Sequence, residues 1–297
     1  MPASKPAIGF IGLGIMGRPM ALNLLKAGYA LAVYARRPAA TQPLTQAGAS
    51  AHPTPAQLAA NTDIVITMVA DTPDVEAVVL GEQGIAQGAR RGSVVVDMST
   101  IAPAATRRLA EELAARGVDM LDAPVSGGEQ GAIDGSLSIM VGGKPDVVAR
   151  VRPLFECMGK NIVHVGDAGA GQVAKCCNQI LVAQTIAAVA EALLLARAAG
   201  ADPARVREAL SGGFAYSRIL EAHGQRMLDN NYKPGFKSTL HLKDMRIAAQ
   251  TAQEAGVRTP GAERALAYLA ELVEAGHGDL DSAAIARLVW GRQSLDR

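Results

Sequence analysis

Cysteine is scarce, neither sign of charge is in surplus, and the opening of the chain carries no acid at all. Only three cysteines occur in 297 residues. Cys176 and Cys177 are adjacent and Cys157 is alone, a spacing that excludes a disulfide framework and the paired-cysteine motifs of zinc sites. His52, His164, His223, His241 and His277 are scattered and form no ligand pattern, so no metal is expected. Lys and Arg number 29 against 28 Asp and Glu. A net charge of +1 exerts no global pull toward nucleic acid or an anionic membrane, and neither partner is expected. No uninterrupted apolar run is long enough to cross a bilayer, and MPASKPAIG lacks the core and cleavage site of a signal peptide, so a soluble, cytoplasmic protein is expected. Internal repeats, low-complexity tracts and flexible linkers are also missing. The local absence is more telling. The first acid is Asp63, although at the chain average of 28 acids in 297 residues the preceding stretch would hold about six.

What stands in that stretch instead is AIGFIGLGIMG, Ala7 to Gly17. An apolar run leads into Gly12, Gly14 and Gly17 at G-x-G-x-x-G spacing, and MALNLLKAG follows as a helix. Strand, tight turn and helix are the context in which such a loop binds a dinucleotide. Gly12 permits the turn, Gly14 lets the backbone approach a pyrophosphate, and Gly17 lets the helix pack on the strand while its N–H groups face the anion. The second strand, Ala30 to Ala35, ends where the adenine ribose of such a ligand would lie. An NAD-selective site places an acid there; this chain has Ala35, Arg36 and Arg37. Two arginines without a carboxylate favour a 2′-phosphate, hence NADP(H) over NAD(H), the competing reading being a solvated loop pair.

Apolar β-branched runs at Asp63 to Ala70 and Gly92 to Thr100 suit parallel strands buried on both faces, and they alternate with helices near Pro55 to Ala60, Pro73 to Leu80 and Pro103 to Arg116. Ser99 and Thr100 end a strand at the ligand edge, where they either reach the nicotinamide end or cap the next helix. Val118 to Gly128 closes in Ser126, Gly127 and Gly128, a hydroxyl with backbone N–H groups suited to a carboxylate, or else a plain turn. Strands at Ser136 to Gly143 and Asn161 to Gly166 flank a helix from Pro145 to Met158.

After Gly166 the character changes. Ala174 to Gly200 reads as one long helix buried nearly all round, and further helices follow near 203–211, 219–228, 240–255, 260–275 and 282–288. The expected division is therefore a Rossmann-type doubly wound α/β domain, 1–166, and an all-α domain, 167–297, whose apolar surface suggests a homo-oligomer. Lys175 and Asn178 share a helix face just past the boundary, with Gly171 one turn earlier leaving room for a small ligand. Lysine on an apolar helix is costly without a task. As the general acid of a carbonyl reduction, Lys175 would stabilise the growing oxyanion and deliver a proton, while Asn178 holds the substrate oxygen or orients the lysine. The bland alternative is a snorkelling lysine. Lys243, after YKPGFK, either reaches the cofactor or lies on a helix surface beside Asp244, and Phe236 could cover the nicotinamide.

At this point the chain resembles the β-hydroxyacid dehydrogenase family end to end, through GFIGLGIMG, DMST, DAPVSGG, GAGQVAKCCNQ and LHLKD in that order. The resemblance implies an NAD(P)-binding Rossmann domain, a helical oligomerisation domain giving a dimer or tetramer, and a cleft between them. It implies Lys175 as the catalytic lysine, Asn178 as its substrate-side partner, and Ser126, Gly127 and Gly128 as the substrate loop. Gly12, Leu13, Gly14, Ile15, Met16 and Gly17 would cradle the cofactor, with Met68, Val69, Thr100, Phe236 and Lys243 as further contacts. AIDGSLSIMVGG, GGFAYSRIL and NNYKPGFKSTLHLKD point, by the same resemblance, to reduction of tartronate semialdehyde to D-glycerate with NADPH. The same machinery would also serve succinic or methylmalonic semialdehyde or glyoxylate, and a non-catalytic nucleotide-binding scaffold is the reading from another class. Two departures stand out. The third strand is followed by Met-Val-Ala-Asp (Met68 to Asp71) where the family often has Met-Leu-Pro. Ala35-Arg36-Arg37 replaces an acid or Asn-Arg, which favours NADP(H) and leaves NAD(H) use open.

Overall fold

In the computed structural model, which describes residues 5–291, the chain divides into two compact units, Met1–Lys175 and Cys176–Arg297. The first is a doubly wound sheet. Ile8–Ile11 (β1), Leu31–Tyr34 (β2), Ser50–Ala51 (β3), Ile64–Thr67 (β4), Val94–Asp97 (β5) and Asp119–Asp122 (β6) run parallel in the order β3-β2-β1-β4-β5-β6. The runs IGFI, IVIT and VVVD are buried along their whole length, as strands covered on both faces must be.

Alternation divides these strands between two cores. Ile8 and Phe10 face Met20 and Leu24 of Gly17–Lys26 (α1). Ile11 and Val65 join Leu58, Val75 and Leu109 on the other face, where Pro55–Ala60 (α3), Thr72–Leu80 (α4), Ile85–Gly88 (α5) and Pro103–Ala114 (α6) pack. Proline stands in the first turn of α3, α4 and α6, where a missing N–H costs nothing. The chain leaves β1 toward β2 and β3, then returns to place β4 on the other side. The carboxyl ends of β1 and β4 are therefore the switch point at which such sheets bind ligands.

Beyond β6 the sheet departs from the parallel expectation. Val125–Ser126 (β7) and Leu137–Gly142 (β8) are antiparallel, joined through Gly128–Ile133 (α7), because a short hairpin-like return cannot make a parallel crossover. Pro145–Met158 (α8) then leads to Gly159–Gly166 (β9), which pairs parallel to β8. The sequence reading also missed Gln42–Gln46 (α2) and the two-residue, exposed β3, both too short to show a period.

Ala170–Ala198 (α9) begins in the first unit and continues as the spine of the second. Pro203–Ser211 (α10), Arg218–Leu228 (α11), Ser238–Glu254 (α12), Pro260–Leu272 (α13) and Ile285–Gly291 (α14) complete that unit. Its core gathers Ile186 and Leu193 with Met245, Leu269, Leu272 and Ile285. The expectation that the long helix is buried nearly all round is corrected: Leu181 is 67% and Leu195 70% exposed, with Cys177 and Ala188 open on the same side. By length and composition alone α9 could cross a membrane, but half of its most apolar window is buried within the protein.

Candidate active site

The glycine turn follows from contacts that leave no room for side chains. Gly12 has φ +96°, and a Cβ there would run into the Met68 carbonyl; one at Gly17 would strike the Gly12 carbonyl. Around Gly14 an added Cβ meets nothing within 4 Å, so backbone can be approached closely there. Leu13 is buried, Met16 half-buried, and Ile15 is 55% exposed although apolar. No side chain caps α1 and no acid stands in its first turn, which leaves its N–H groups and positive dipole end for an anion. This cradle fits a dinucleotide pyrophosphate.

The loops after β4 and β5 are tied to that turn. Met68 N–H donates to the Ile11 carbonyl at 2.8 Å, and Val69 N–H donates to Ser99 Oγ at 2.9 Å. Ser99 is fully buried, and its carbonyl accepts from Gln172 Nε2 at 2.8 Å. Ser99 thus belongs to the scaffold, and it does not cap α6, whose N-terminal flank is Ala102. Thr100 remains half-buried at the loop surface, as do Met68 and Val69. Arg36 and Arg37 are exposed beyond β2. Arg36 pairs with Asp74 of α4 at 3.1 Å.

Lys175 owes its place to Asp122, at the end of β6. The two Asp122 oxygens accept from Gly169 N–H and Gln172 N–H, each at 2.8 Å, so one buried carboxylate caps the start of α9 from a distant strand. Burial raises the Asp122 pKa more than these donors lower it. Gln172 adds a second tie, accepting from Ile101 N–H at 3.2 Å. Gly171 is not room for a ligand, as the sequence suggested: a side chain there would collide with the Met140 and Asp122 carbonyls, so the glycine serves close packing. One turn after Gln172, Lys175 is only 7% exposed and its Nζ donates to the Val125 carbonyl at 2.8 Å. The snorkelling alternative fails. The lysine lies beside the substrate-loop candidates, with Ser126 half-buried and Gly127 and Gly128 exposed at φ +139° and +65°.

The remaining candidates lie in the second unit. Asn178 Nδ2 donates to Gln179 Oε1 at 2.7 Å, Gln179 Nε2 donates to Asp244 Oδ2 at 2.6 Å, and Lys243 Nζ pairs with Asp244 Oδ1 at 2.9 Å. This chain of polar groups joins Asn178 to Lys243. Lys243 has only 18% of its side chain exposed beside a buried Asp244, which rejects the helix-surface reading. Phe236 is anchored by a separate carboxylate. Its N–H and that of Gly235 donate to Asp281 Oδ2 at 3.2 and 3.0 Å, its ring lies 5.6 Å from that of His241, and Arg226 neutralises the buried Asp281 at 3.2 Å.

Residues 7–166 match the model for the NAD binding domain of 6-phosphogluconate dehydrogenase, and residues 169–289 that for the NAD-binding part of NADP-dependent 3-hydroxyisobutyrate dehydrogenase. The chain belongs to the 3-hydroxyisobutyrate dehydrogenase-related β-hydroxyacid dehydrogenases. This β-hydroxyacid dehydrogenase is 49% identical to 2-hydroxy-3-oxopropionate reductase of Escherichia coli (strain K12), over 94% of its own length and 96% of the relative. It is 40% identical to 3-hydroxyisobutyrate dehydrogenase of Pseudomonas aeruginosa, over 96% and 99%. Among solved structures it is similar to Mycobacterium tuberculosis 3-hydroxyisobutyrate dehydrogenase with L-serine, at TM-score 0.89 and 31% identity, covering 96% of this chain and 99% of that one. It is accordingly an NAD(P)-dependent oxidoreductase of the hydroxyacid dehydrogenase and reductase type.

Asp97 of this dehydrogenase, at the end of β5, was also missed from sequence. Its Oδ1 accepts from Thr67 Oγ1 at 2.7 Å and Ser99 N–H at 3.1 Å, while the buried Oδ2 has no hydrogen-bond partner among the described residues. Burial pushes its carboxyl pKa up, against the pull of those donors. A group with a raised folded pKa binds more protons folded than unfolded, so its contribution to stability is lost as pH rises. Urea unfolding of Asp97→Asn is expected to give a shallower fall of stability than wild type from about pH 4, the unfolded carboxylate value, upward. Identical slopes would show that Asp97 stays ionised in the fold.

Proposed function

We propose that this chain reduces tartronate semialdehyde to D-glycerate with NADPH, and that Lys175 is the proton donor. A reduced nicotinamide, when bound, supplies the hydride that the aldehyde carbon accepts. Lys175 Nζ gives its proton to the oxygen as negative charge develops there, and the resulting amine regains a proton from water. Ser126 Oγ and the backbone N–H groups of Gly127 and Gly128 bind the substrate carboxylate and aim the carbonyl at the lysine. Asn178 steadies the substrate side, and Thr100, Phe236 and Lys243 contact the cofactor. A functional division at residues 1–166 and 167–297 goes with this reading.

The observation that carries it is the burial of Lys175 beside the carbonyl that precedes Ser126. A lysine confined in this way, within reach of a loop rich in donors, is suited to one oxyanion. The 49% identical reductase supports the choice of substrate. The 40% identical 3-hydroxyisobutyrate dehydrogenase favours a second reading, the same chemistry on methylmalonic semialdehyde. Purified protein with NADPH and a panel of tartronate, succinic and methylmalonic semialdehydes and glyoxylate separates them. Tartronate semialdehyde should give the highest kcat/KM, and negligible turnover on it with efficient reduction of another aldehyde would reject the choice.

Arg36 and Arg37 would favour NADPH by meeting its 2′-phosphate. Arg36→Ala is expected to raise KM for NADPH at least about tenfold more than KM for NADH, on the scale of a hydrogen bond to a charged group. Equal effects on both cofactors would remove the phosphate from the account. The open side of α9, with Leu181 and Leu195, suits a second copy of the chain in a dimer or tetramer.

A further inference from the structure

The first 62 residues hold no acid, yet the end of β2 does not lack a carboxylate. Asp74, in the first turn of α4, pairs its Oδ1 with Arg36 Nη1 at 3.1 Å. Strand order decides what this pair spans. β1 lies between β2 and β4, Arg36 follows β2 and Asp74 follows β4, so the two side chains meet across the carboxyl end of β1, where the glycine turn begins. We infer that Asp74 sets the cofactor selectivity of this chain: its carboxylate competes with a 2′-phosphate for Arg36 and holds back the preference for NADP(H) that the two arginines alone would give. The inference rests on the proposed contact between Arg36 and that phosphate.

The Arg36 side chain is 80% exposed and that of Asp74 27%. A pair this open is weak and exchanges readily, so a dianionic phosphate that offers bidentate geometry can take the guanidinium. The carboxylate it displaces stays on α4, close enough to repel the phosphate. With NAD(H) the same position holds a neutral hydroxyl, so Arg36 stays neutralised by Asp74 and nothing opposes binding. Asp74 therefore lowers affinity for the phosphorylated cofactor while leaving the other little affected. The α4 cap does not depend on it, because Asp71 accepts from Thr72 N–H.

Calorimetric titration of NADP⁺ and NAD⁺ into the full-length wild type, Asp74→Asn, Arg36→Ala and the double variant, at low and at high salt, tests this. Asp74→Asn should shift the ratio of the two Kd values about three- to tenfold toward NADP⁺ at low salt, less at high salt, and much less in the Arg36→Ala background. A ratio that is unchanged, or that moves toward NAD⁺, overturns the inference. The two failures are separable. If Arg36→Ala costs NADP⁺ selectively but Asp74→Asn leaves the ratio alone, Arg36 keeps its phosphate and only Asp74 loses its role; if Arg36→Ala leaves the ratio alone, the phosphate contact itself falls and the inference falls with it.

Discussion

Lys175→Ala is expected to lower kcat for aldehyde reduction by about 10²- to 10⁴-fold, the range of a positioned proton donor, while NADP⁺ still binds. The reasoning starts from burial. Lys175 donates to the Val125 carbonyl and lies on a helix start secured independently by Asp122 and Gln172, so truncation removes the ammonium while that anchoring remains. The loss should fall on kcat, because the proton is needed as charge develops rather than in the ground state. Lys175→Arg separates charge from proton delivery. A guanidinium keeps the positive charge but does not give up a proton near neutral pH, so it should recover little of the rate. Steady-state kinetics with calorimetry of NADP⁺ binding check this, and a Lys175→Ala enzyme turning over at near wild-type rate would remove the lysine from the mechanism.

Asp122→Ala should have the largest effect on stability. It strips a partner from two buried backbone N–H groups, those of Gly169 and Gln172, at about 1–3 kcal/mol each, so urea unfolding should register a loss of about 2–6 kcal/mol. Asp122→Asn keeps one acceptor and turns an amide donor toward the other N–H, and should be folded but strained at the start of α9. In that variant kcat should fall more than KM rises, because the helix turn carrying Lys175 has lost half of its anchor. A stability change below about 1 kcal/mol for Asp122→Ala would mean that α9 is seated by packing alone.

The parts legible in the sequence are those with a local cause. Pro145–Met158 and Pro203–Ser211 begin at proline and end where their apolar pattern stops, and both were readable residue by residue. The glycine turn was readable because its spacing and flanks lie within one short stretch, and Lys175 because a lysine in an apolar helix stands out. The residues that seat it were not. Asp122 meets Gly169 and Gln172 across 47 and 50 residues, and Gln179 meets Asp244 across 65, pairings that no period or motif announces. Asp281 likewise holds Gly235 and Phe236 from 46 and 45 residues away. Gly171 misled for a related reason: a missing side chain reads alike whether it spares a ligand or a neighbouring carbonyl, and only the fold distinguishes them. Arg36 was visible, but its partner Asp74 enters from a separate βα unit.

The most direct test of proton transfer from Lys175 is chemical rescue in a single turnover. Lys175→Ala, loaded with NADPH and mixed rapidly with tartronate semialdehyde in the presence of ethylammonium, should oxidise its NADPH at a rate that rises in proportion to the concentration of the amine, with sodium chloride at matched ionic strength giving no such rise. A rate indifferent to the amine, in a variant that binds cofactor and substrate normally, would contradict the account.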